Sequence, residues 1–456
     1  MIFKPATHRL WDVWVMHHAG LYYLFYDLVR RNAIEAVALA TSADGVHWTE
    51  HGPVIEKPSD APGIGSGFTW KSPGFEEDGR FYCNFSVDQR IRFADSVDLS
   101  NWTVRPDIEF RKDLRWYAED GRWDCICTVP RSPHGYHGYW TADLKNGGYG
   151  FAFGETDDGI HWRALPPPRV DWGAFSGYEP EHCEVGGVEV AGCKLYAMIN
   201  FSKDGSRMLS LVADRPEGPF TLSAKIPVLF EGDAHFGRFF SSPDGLLVVH
   251  HDLAKEDAQN PEPWDTCYLA PMKRAVVDGD GTLRLGYWIG NDALKGVERR
   301  VTVSSSRGQV ALLDPGFNAE PGFIMDGEMV VNARSGTELH PPGLILESGE
   351  ERPTALTLLP GGVSRIGTVD PGGSGFRPRE PRAVWCGPSE VDRQVSFGPV
   401  VRFRLLARRG MLELYLNDLL FHVRSLTKPL TGKIGLLGAP GAVRNVRAWG
   451  MDLSAG

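Results

Sequence analysis

Ser42-Ala-Asp-Gly-Val-His-Trp48 is a phrase that the chain repeats. It returns as Ser96-Val-Asp-Leu-Ser-Asn-Trp102, as Thr156-Asp-Asp-Gly-Ile-His-Trp162 and, more loosely, as Asp214-Arg-Pro-Glu-Gly-Pro-Phe220. Successive copies start 54, 60 and 58 residues apart. Around each copy lie short aromatic and β-branched runs joined by turn dipeptides. Trp11–His18 runs into Ala19-Gly20 and then Leu21–Tyr26; Arg80–Phe85 follows Asp78-Gly79; Lys194–Phe201 follows Ala191-Gly192. Period-two runs bounded by such turns read as hairpins. A hairpin repeat of this length predicts a β-propeller blade. The closing Trp48, Trp102 and Trp162 are expected to pack between neighbouring blades, because Trp carries a large apolar surface.

A fifth blade is expected without the phrase, from the runs His235–Phe240, Gly245–His251, Thr266–Met272 and Gly281–Tyr287. Five blades then occupy residues 1–300. The charged, Ser-rich stretch Leu294–Gln309 reads as a linker. Residues 310–456 show strand alternation, as in Val401–Leu406 and Met411–Leu416, with no long helix-period pattern. They predict a second all-β unit, a C-terminal β-sandwich. Its acids, Glu413 for example, are expected at the surface, bracing the propeller without touching its chemistry.

Composition narrows the function. Of 456 residues, 42% are apolar, enough for two cores. The net charge of −10 comes without a basic cluster, which argues against nucleic acid as a partner. No run of 18 apolar residues occurs and the N-terminus has no apolar signal region, so neither a membrane partner nor export is expected. Seven scattered cysteines, with Cys125 and Cys127 too close for an ordinary bridge, read as reduced thiols in a cytoplasmic protein. A homo-oligomer is compatible with all of this. No cofactor is expected. The paired histidines His17-His18 and His250-His251 match no metal-ligand motif, and strand neighbours point to opposite faces, so no metal is expected either.

Acids in strand-forming, aromatic surroundings carry the functional signal, because an unpaired buried charge is costly. Asp12 lies in Leu-Trp-Asp-Val-Trp at the start of blade one. Asp124 lies in Arg-Trp-Asp-Cys-Ile at the start of blade three. Glu184 lies in Glu-His-Cys-Glu-Val-Gly-Gly at the start of blade four, with Glu179 and Glu181 close by. First strands of a propeller meet at its axis, so the three acids should converge there. For each, the structural alternative is an acid that caps or pairs within its own strand. Two carboxyl groups facing one sugar, with a third fixing its hydroxyls, is the apparatus of glycoside hydrolysis. Around them, Trp11, Trp14 and Trp70 are candidate sugar platforms, or else blade packing. Glu181, His235 and Arg131 are candidate substrate contacts.

These residues resemble the motifs of the five-bladed propeller glycosidases of glycoside hydrolase families 32 and 68, with arabinofuranosidase family 43 further off. Trp11-Asp12-Val-Trp14 looks like the Trp-Asp-x-Trp of family 68. Arg122-Trp-Asp124-Cys stands where Arg-Asp-Pro is expected, with one residue inserted and the Pro lost. Glu184-Val-Gly-Gly stands where Glu-Cys-Pro-Asp or Glu-Arg-Pro is expected. Leu412-Glu-Leu-Tyr-Leu-Asn417-Asp looks like a strand of the family 32 sandwich. The resemblance implies a retaining, fructofuranosidase-like hydrolase of a terminal furanoside. Asp12 would be the nucleophile, Asp124 the transition-state stabiliser and Glu184, favoured by spacing over its neighbours Glu181 and Glu179, the general acid and base. The alternatives are an inverting, arabinofuranosidase-like hydrolase, a phosphorolytic relative using Arg131 and His134, and a carbohydrate-binding propeller without chemistry.

Overall fold

The computed structural model describes residues 1–73, 79–173, 183–201, 206–223, 228–232, 234–254, 266–307, 309–314, 316–331, 341–360, 362–369, 376–378, 393–394 and 397–454. The chain is all-β: apart from a 3-10 turn at Ile289–Leu294, its regular elements among these residues are strands. No helix among them is long and apolar enough to cross a membrane.

The first half is a succession of sheets whose strands pair antiparallel, except for one parallel pair in the fourth. The first joins β1 (Arg9–His18), β2 (Leu21–Arg30), β3 (Ala33–Ser42) and β4 (Thr49–Glu56) in that order. The second joins β5 (Gly67–Lys71), β6 (Phe81–Val87), β7 (Arg90–Ser96) and β8 (Thr103–Val104). The third joins β9 (Cys127–Pro130), β10 (Tyr136–Asp143), β11 (Tyr149–Thr156) and β12 (Arg163–Leu165). The fourth is built on β14 (Cys183–Ala191), β15 (Lys194–Phe201) and β16 (Ser206–Ala213), with β13 (Val170–Asp171), β17 (Phe220–Leu222) and β18 (Val228–Gly232) beyond. The fifth follows β19 (Ala234–Ser242), β20 (Gly245–Leu253), β21 (Cys267–Leu269), β22 (Lys273–Val277) and β23 (Leu283–Tyr287). The expected run Thr266–Met272 is thus divided: Ala270-Pro271 ends β21, since Pro has no N–H for a ladder, and β22 begins afresh.

The repeated phrase is a turn held by its own side chains. In each full copy the Asp carboxylate accepts backbone N–H groups two and three residues on: Val46 and His47 for Asp44, Ser100 and Asn101 for Asp98, Ile160 and His161 for Asp158. Ser42, Ser96 and Thr156 each cap the same turn with a hydroxyl. Asp and Ser/Thr are the side chains suited to mimic a backbone turn. The closing aromatic reaches the preceding sheet. Trp102 meets Phe25 at 5.8 Å, Trp162 meets Trp70 at 6.1 Å and Phe220 meets Tyr139 at 6.1 Å.

First strands lie side by side. β1 packs against β5 and β19, and β14 packs against β9 and β19. One cavity of about 190 Å³ is lined by all five: Trp14–His17 of β1, Phe68-Thr69 of β5, Cys127-Thr128 of β9, Gly187–Glu189 of β14 and Phe239–Ser241 of β19.

The second half adds β24 (Lys295–Arg299), β25 (Thr302–Arg307), β26 (Val310–Asp314), β27 (Phe323–Val330), β28 (Gly343–Ser348), β29 (Thr354–Leu359), β30 (Val363–Val369), β31 (Phe376–Pro378), β32 (Arg393–Gln394), β33 (Val400–Arg408), β34 (Met411–Leu416), β35 (Leu419–Ser425), β36 (Leu430–Leu437) and β37 (Val443–Met451). One sheet runs β35-β34-β33-β27-β37-β24 and the other β25-β26-β36-β28-β29-β30-β31. Their inner faces share a core that includes Phe323, Met325, Leu344, Leu356, Val401 and Phe403.

Two expectations are corrected here. Leu294–Gln309 is not a loose linker: β24 pairs with β37 and β25 with β26. Nor is Glu413 a surface acid. It is fully buried on β34, where Lys273 Nζ of β22 donates to Oε1 at 2.5 Å and Tyr415 Oη donates to Oε2 at 2.6 Å. Beside it, Gly286 of β23 pairs with Leu419 of β35, so the fifth sheet continues into the second half.

Candidate active site

Three first strands carry an irregularity where a candidate functional residue sits. On β1 the pairing passes from Trp11↔Asp27 to Val13↔Tyr26, leaving Asp12 as the extra residue of a bulge. On β14 the register shifts between Val185 and Gly187, just after Glu184. On β19 it shifts between His235 and Arg238. Bulges re-aim side chains and steepen local twist, which is their common use beside active sites. They also bring β14 and β19 close together. A Cβ on Gly186 would lie 2.4 Å from the Gly237 carbonyl oxygen, so glycine is required there.

Asp12 meets a cation. Arg238 Nη2 lies 3.7 Å from its Oδ2. The Arg238 side chain is completely buried, with Phe68, Phe236 and Trp14 around it at 4.5, 4.6 and 5.6 Å from their ring centroids, and it donates to the Gly67 carbonyl oxygen. A planar, weakly hydrated guanidinium is the cation that tolerates such surroundings. Trp11, half-buried, lies with its ring 5.4 Å from His235 and 4.9 Å from His251. His235 and His251 face each other across β19 and β20. Burial holds the His251 ring neutral, with His235 and Arg238 adding to the effect.

Asp124 is a different kind of acid. It precedes β9, with its N–H bonded to the Thr141 carbonyl oxygen. Burial opposes its charge, but Arg122 and three hydrogen bonds outweigh that and hold the carboxyl below its usual range. Those bonds come from Ser86 Oγ, from Arg122 Nη2 at 2.6 Å and from the Cys125 N–H at 2.9 Å. It is ionised at neutral pH.

Two residues that sequence reasoning missed complete the cluster: Arg238 and Asp27. Asp27 has no exposed surface, and neither carboxyl oxygen has a hydrogen-bond partner among the described residues. Burial pushes its carboxyl well above the usual range; Asp12 and Asp124 push the same way and Arg238 pulls back. The signal was the one that marked Asp12, a charged side chain inside an aromatic strand: Tyr26-Asp27, and Phe236-Gly-Arg238-Phe.

The other sequence candidates divide. Trp11, His235 and Asp12 come together. Glu184 is on β14 opposite Asn200, and its side chain, like the whole of Glu181, lies outside the described residues. Trp14 and Trp70 are packing residues. Trp14 is 2% exposed, stacks on Phe25 and donates to Thr69 Oγ1 at 3.0 Å; Trp70 is 4% exposed and donates to the Gly159 carbonyl oxygen at 3.0 Å. Neither offers a face to a sugar. Arg131 does not reach the cluster either, being paired with Asp157 and, at 3.6 Å, with Glu155 of β11.

Among the described residues, two groups of side chains set three potential ligand atoms within 4.8 Å of one another: Asp12, His235 and His251, and, in the seam between the halves, His250, Asp252 and Glu413. By donor type each suits a cation. In the first, Arg238 already neutralises Asp12, which opposes a second positive charge there. The five described cysteines Cys83, Cys125, Cys127, Cys193 and Cys267 are free thiols.

No protein family matches the sequence, and no curated protein does. Solved structures do match. Sucrose-6-phosphate hydrolase from Lactobacillus gasseri aligns with a TM-score of 0.71 at 15% identity, over 98% of this chain and 92% of that one. Fructan 1-exohydrolase IIa from Cichorium intybus gives 0.70 at 12% identity, over 99% and 96%. A GH32 β-fructofuranosidase from Bombyx mori gives 0.69 at 12% identity, over 98% and 92%. The chain shares the fold of these proteins along nearly its whole length.

Proposed function

We propose that the protein is a retaining glycoside hydrolase that cleaves a terminal furanoside, a fructoside first among them. In this reading residues 1–300 form a five-bladed β-propeller and residues 310–456 a β-sandwich bracing it. Asp12 attacks the anomeric carbon. Glu184 protonates the leaving oxygen, and after departure the same group takes a proton from the water that releases the sugar. Asp124, held ionised by Arg122 and Ser86, balances the positive charge that develops on the ring. Trp11 and His235 border the space beside Asp12 and would contact ring and hydroxyls. The observation that carries the reading is that the bulge on β1 sets Asp12 beside the buried Arg238, whose Nη2 lies 3.7 Å from its Oδ2, and within 4.8 Å of His235. Fold likeness to enzymes named for fructosides points the same way; the Cichorium protein has been solved with 1-kestose and the Bombyx protein with sucrose.

The test is a panel of aryl β-fructosides, both anomers of aryl arabinofuranosides, sucrose and 1-kestose, assayed with the wild type and with Asp12→Asn and Asp124→Asn. Hydrolysis of a furanoside that both substitutions abolish supports the reading. Binding without turnover across the panel would make the protein a carbohydrate-binding propeller instead.

A further inference from the structure

Second strands carry buried polar residues opposite or near the starts of the first strands. Asn84 on β6, Thr141 on β10, Asn200 on β15, Asp27 on β2 and His251 on β20 are all 3% exposed or less. Two of them are clips between sheets. Asn84 donates from Nδ2 to the Ile126 carbonyl oxygen at 2.8 Å and accepts the Ile126 N–H at 2.7 Å, tying β6 to the entry of β9. Thr141 Oγ1 accepts the Val185 N–H at 2.9 Å, tying β10 to β14. Asp27 breaks that pattern. It faces the bulge that presents Asp12, and both of its oxygens lack a hydrogen-bond partner among the described residues. A buried carboxylate in that state is costly, whereas a carboxylic acid with an acceptor beside it is not.

We propose that Asp27 is a positioning residue: a neutral carboxylic acid whose proton is donated in a hydrogen bond to Asp12, which with Arg238 on the other side fixes the charge and aim of that carboxylate. The inference rests on reading Asp12 as the reacting carboxylate. The charged and titratable groups around Asp27 are consistent with it. Asp12 from β1 and Asp124 ahead of β9 both disfavour a further negative charge, and Arg238 from β19 is already committed to Asp12. Cys83 from β6 is a thiol that burial pushes up to about 12, so it supplies no charge. Two carboxyl groups sharing one proton is a recurrent way to keep one of them ionised at neutral pH. As pH rises, loss of the Asp27 proton would set a second charge beside Asp12 and remove its hydrogen bond. That predicts an alkaline limb in the rate profile that belongs to a residue never touching substrate.

The experiment has an arm that needs no activity. Infrared difference spectra of the full-length protein, wild type against Asp27→Asn, should show a protonated-carboxyl C=O band at pH 7 that the variant lacks. Wild-type spectra alone, followed as the pH is raised, should show the band fade as carboxylate bands grow. In the kinetic arm, Asp27→Asn, whose amide still supplies an N–H donor, should keep kcat within about threefold at the optimum and lose the alkaline limb. Asp27→Ala should lose kcat about a hundredfold with little change in KM. Absence of the C=O band at pH 7, or an alkaline limb unchanged in Asp27→Asn, overturns the proposal. A band in a protein that hydrolyses nothing would leave the shared proton standing and reject the enzymatic reading.

Discussion

Two buried charge clusters sit at opposite ends of one logic. In the seam between β22 and β34, Glu413 has a donor for each oxygen: Lys273 on one side and Tyr415 on the other, all three side chains without exposed surface. Lys273 also donates to the Pro271 carbonyl oxygen at 2.6 Å. Around Asp12, by contrast, both oxygens of Asp27 and Nε and Nη2 of Arg238 have no hydrogen bond among the described residues. A satisfied buried ion pair fixes two sheets to each other. Beside Asp12, Asp27 and Arg238 instead keep bonding capacity that no described residue uses.

Substitutions can break that contrast. The largest effect is expected at the site. Asp12→Asn should lower kcat/KM for any hydrolysed furanoside roughly a thousandfold or more, because in the proposed mechanism it removes the nucleophile. Its melting temperature should stay near that of the wild type, as scanning calorimetry can check. Next comes the seam. Lys273→Met leaves Glu413 charged and uncompensated, and breaking one partner of a buried pair costs about 3–5 kcal/mol. Urea unfolding should register that loss while the pH–rate profile keeps its shape. A profile that moved would mean the seam reaches the chemistry.

Arg238→Met falls between the two clusters in kind. Losing a cation beside a carboxylate raises the carboxylate's pKa, so the acid limb of kcat/KM should move to higher pH. An unmoved limb would remove Arg238 from the account of Asp12. The smallest effect is expected at the repeated turns. Four bonds, from the backbone and ring of His47, the backbone of Val46 and the hydroxyl of Ser42, outweigh the burial that opposes charge at Asp44, and its carboxyl is lowered to about 2. A depressed carboxyl stabilises the fold above the pKa of the unfolded chain, and that contribution disappears as pH falls from about 4 to about 2. Asp44→Asn should therefore be less stable than the wild type at pH 6 and converge with it towards pH 2, as thermal melts across that range would show.

The same contrast explains what could be read from residues alone. The turn phrase was legible because its chemistry is local: an Asp, the hydroxyl two residues before it and the N–H groups just after it need no tertiary partner. Asp12 and Asp124 stood out because an acid among aromatic strand residues is anomalous wherever it falls. Trp70 and Trp14 were not, since whether a Trp faces a cavity or a neighbouring sheet depends on chain far away in sequence; Gly159, the partner of Trp70, is 89 residues on. Arg131 failed for the same reason. Glu413 resembles any exposed acid of a two-faced strand until Lys273 is seen 140 residues away. Leu294–Gln309 misled through composition. Edge strands tolerate polar residues, and even Val297 and Val303 are mostly exposed there at 83% and 55%.

The central claim is that Asp12 reacts directly with the sugar. It is tested most directly by the anomeric configuration of the first-formed product, followed by NMR on the wild type with its best aryl furanoside. Retention is expected, lost together with turnover in Asp12→Asn. An inverted product, or Asp12→Asn with wild-type turnover, would contradict it.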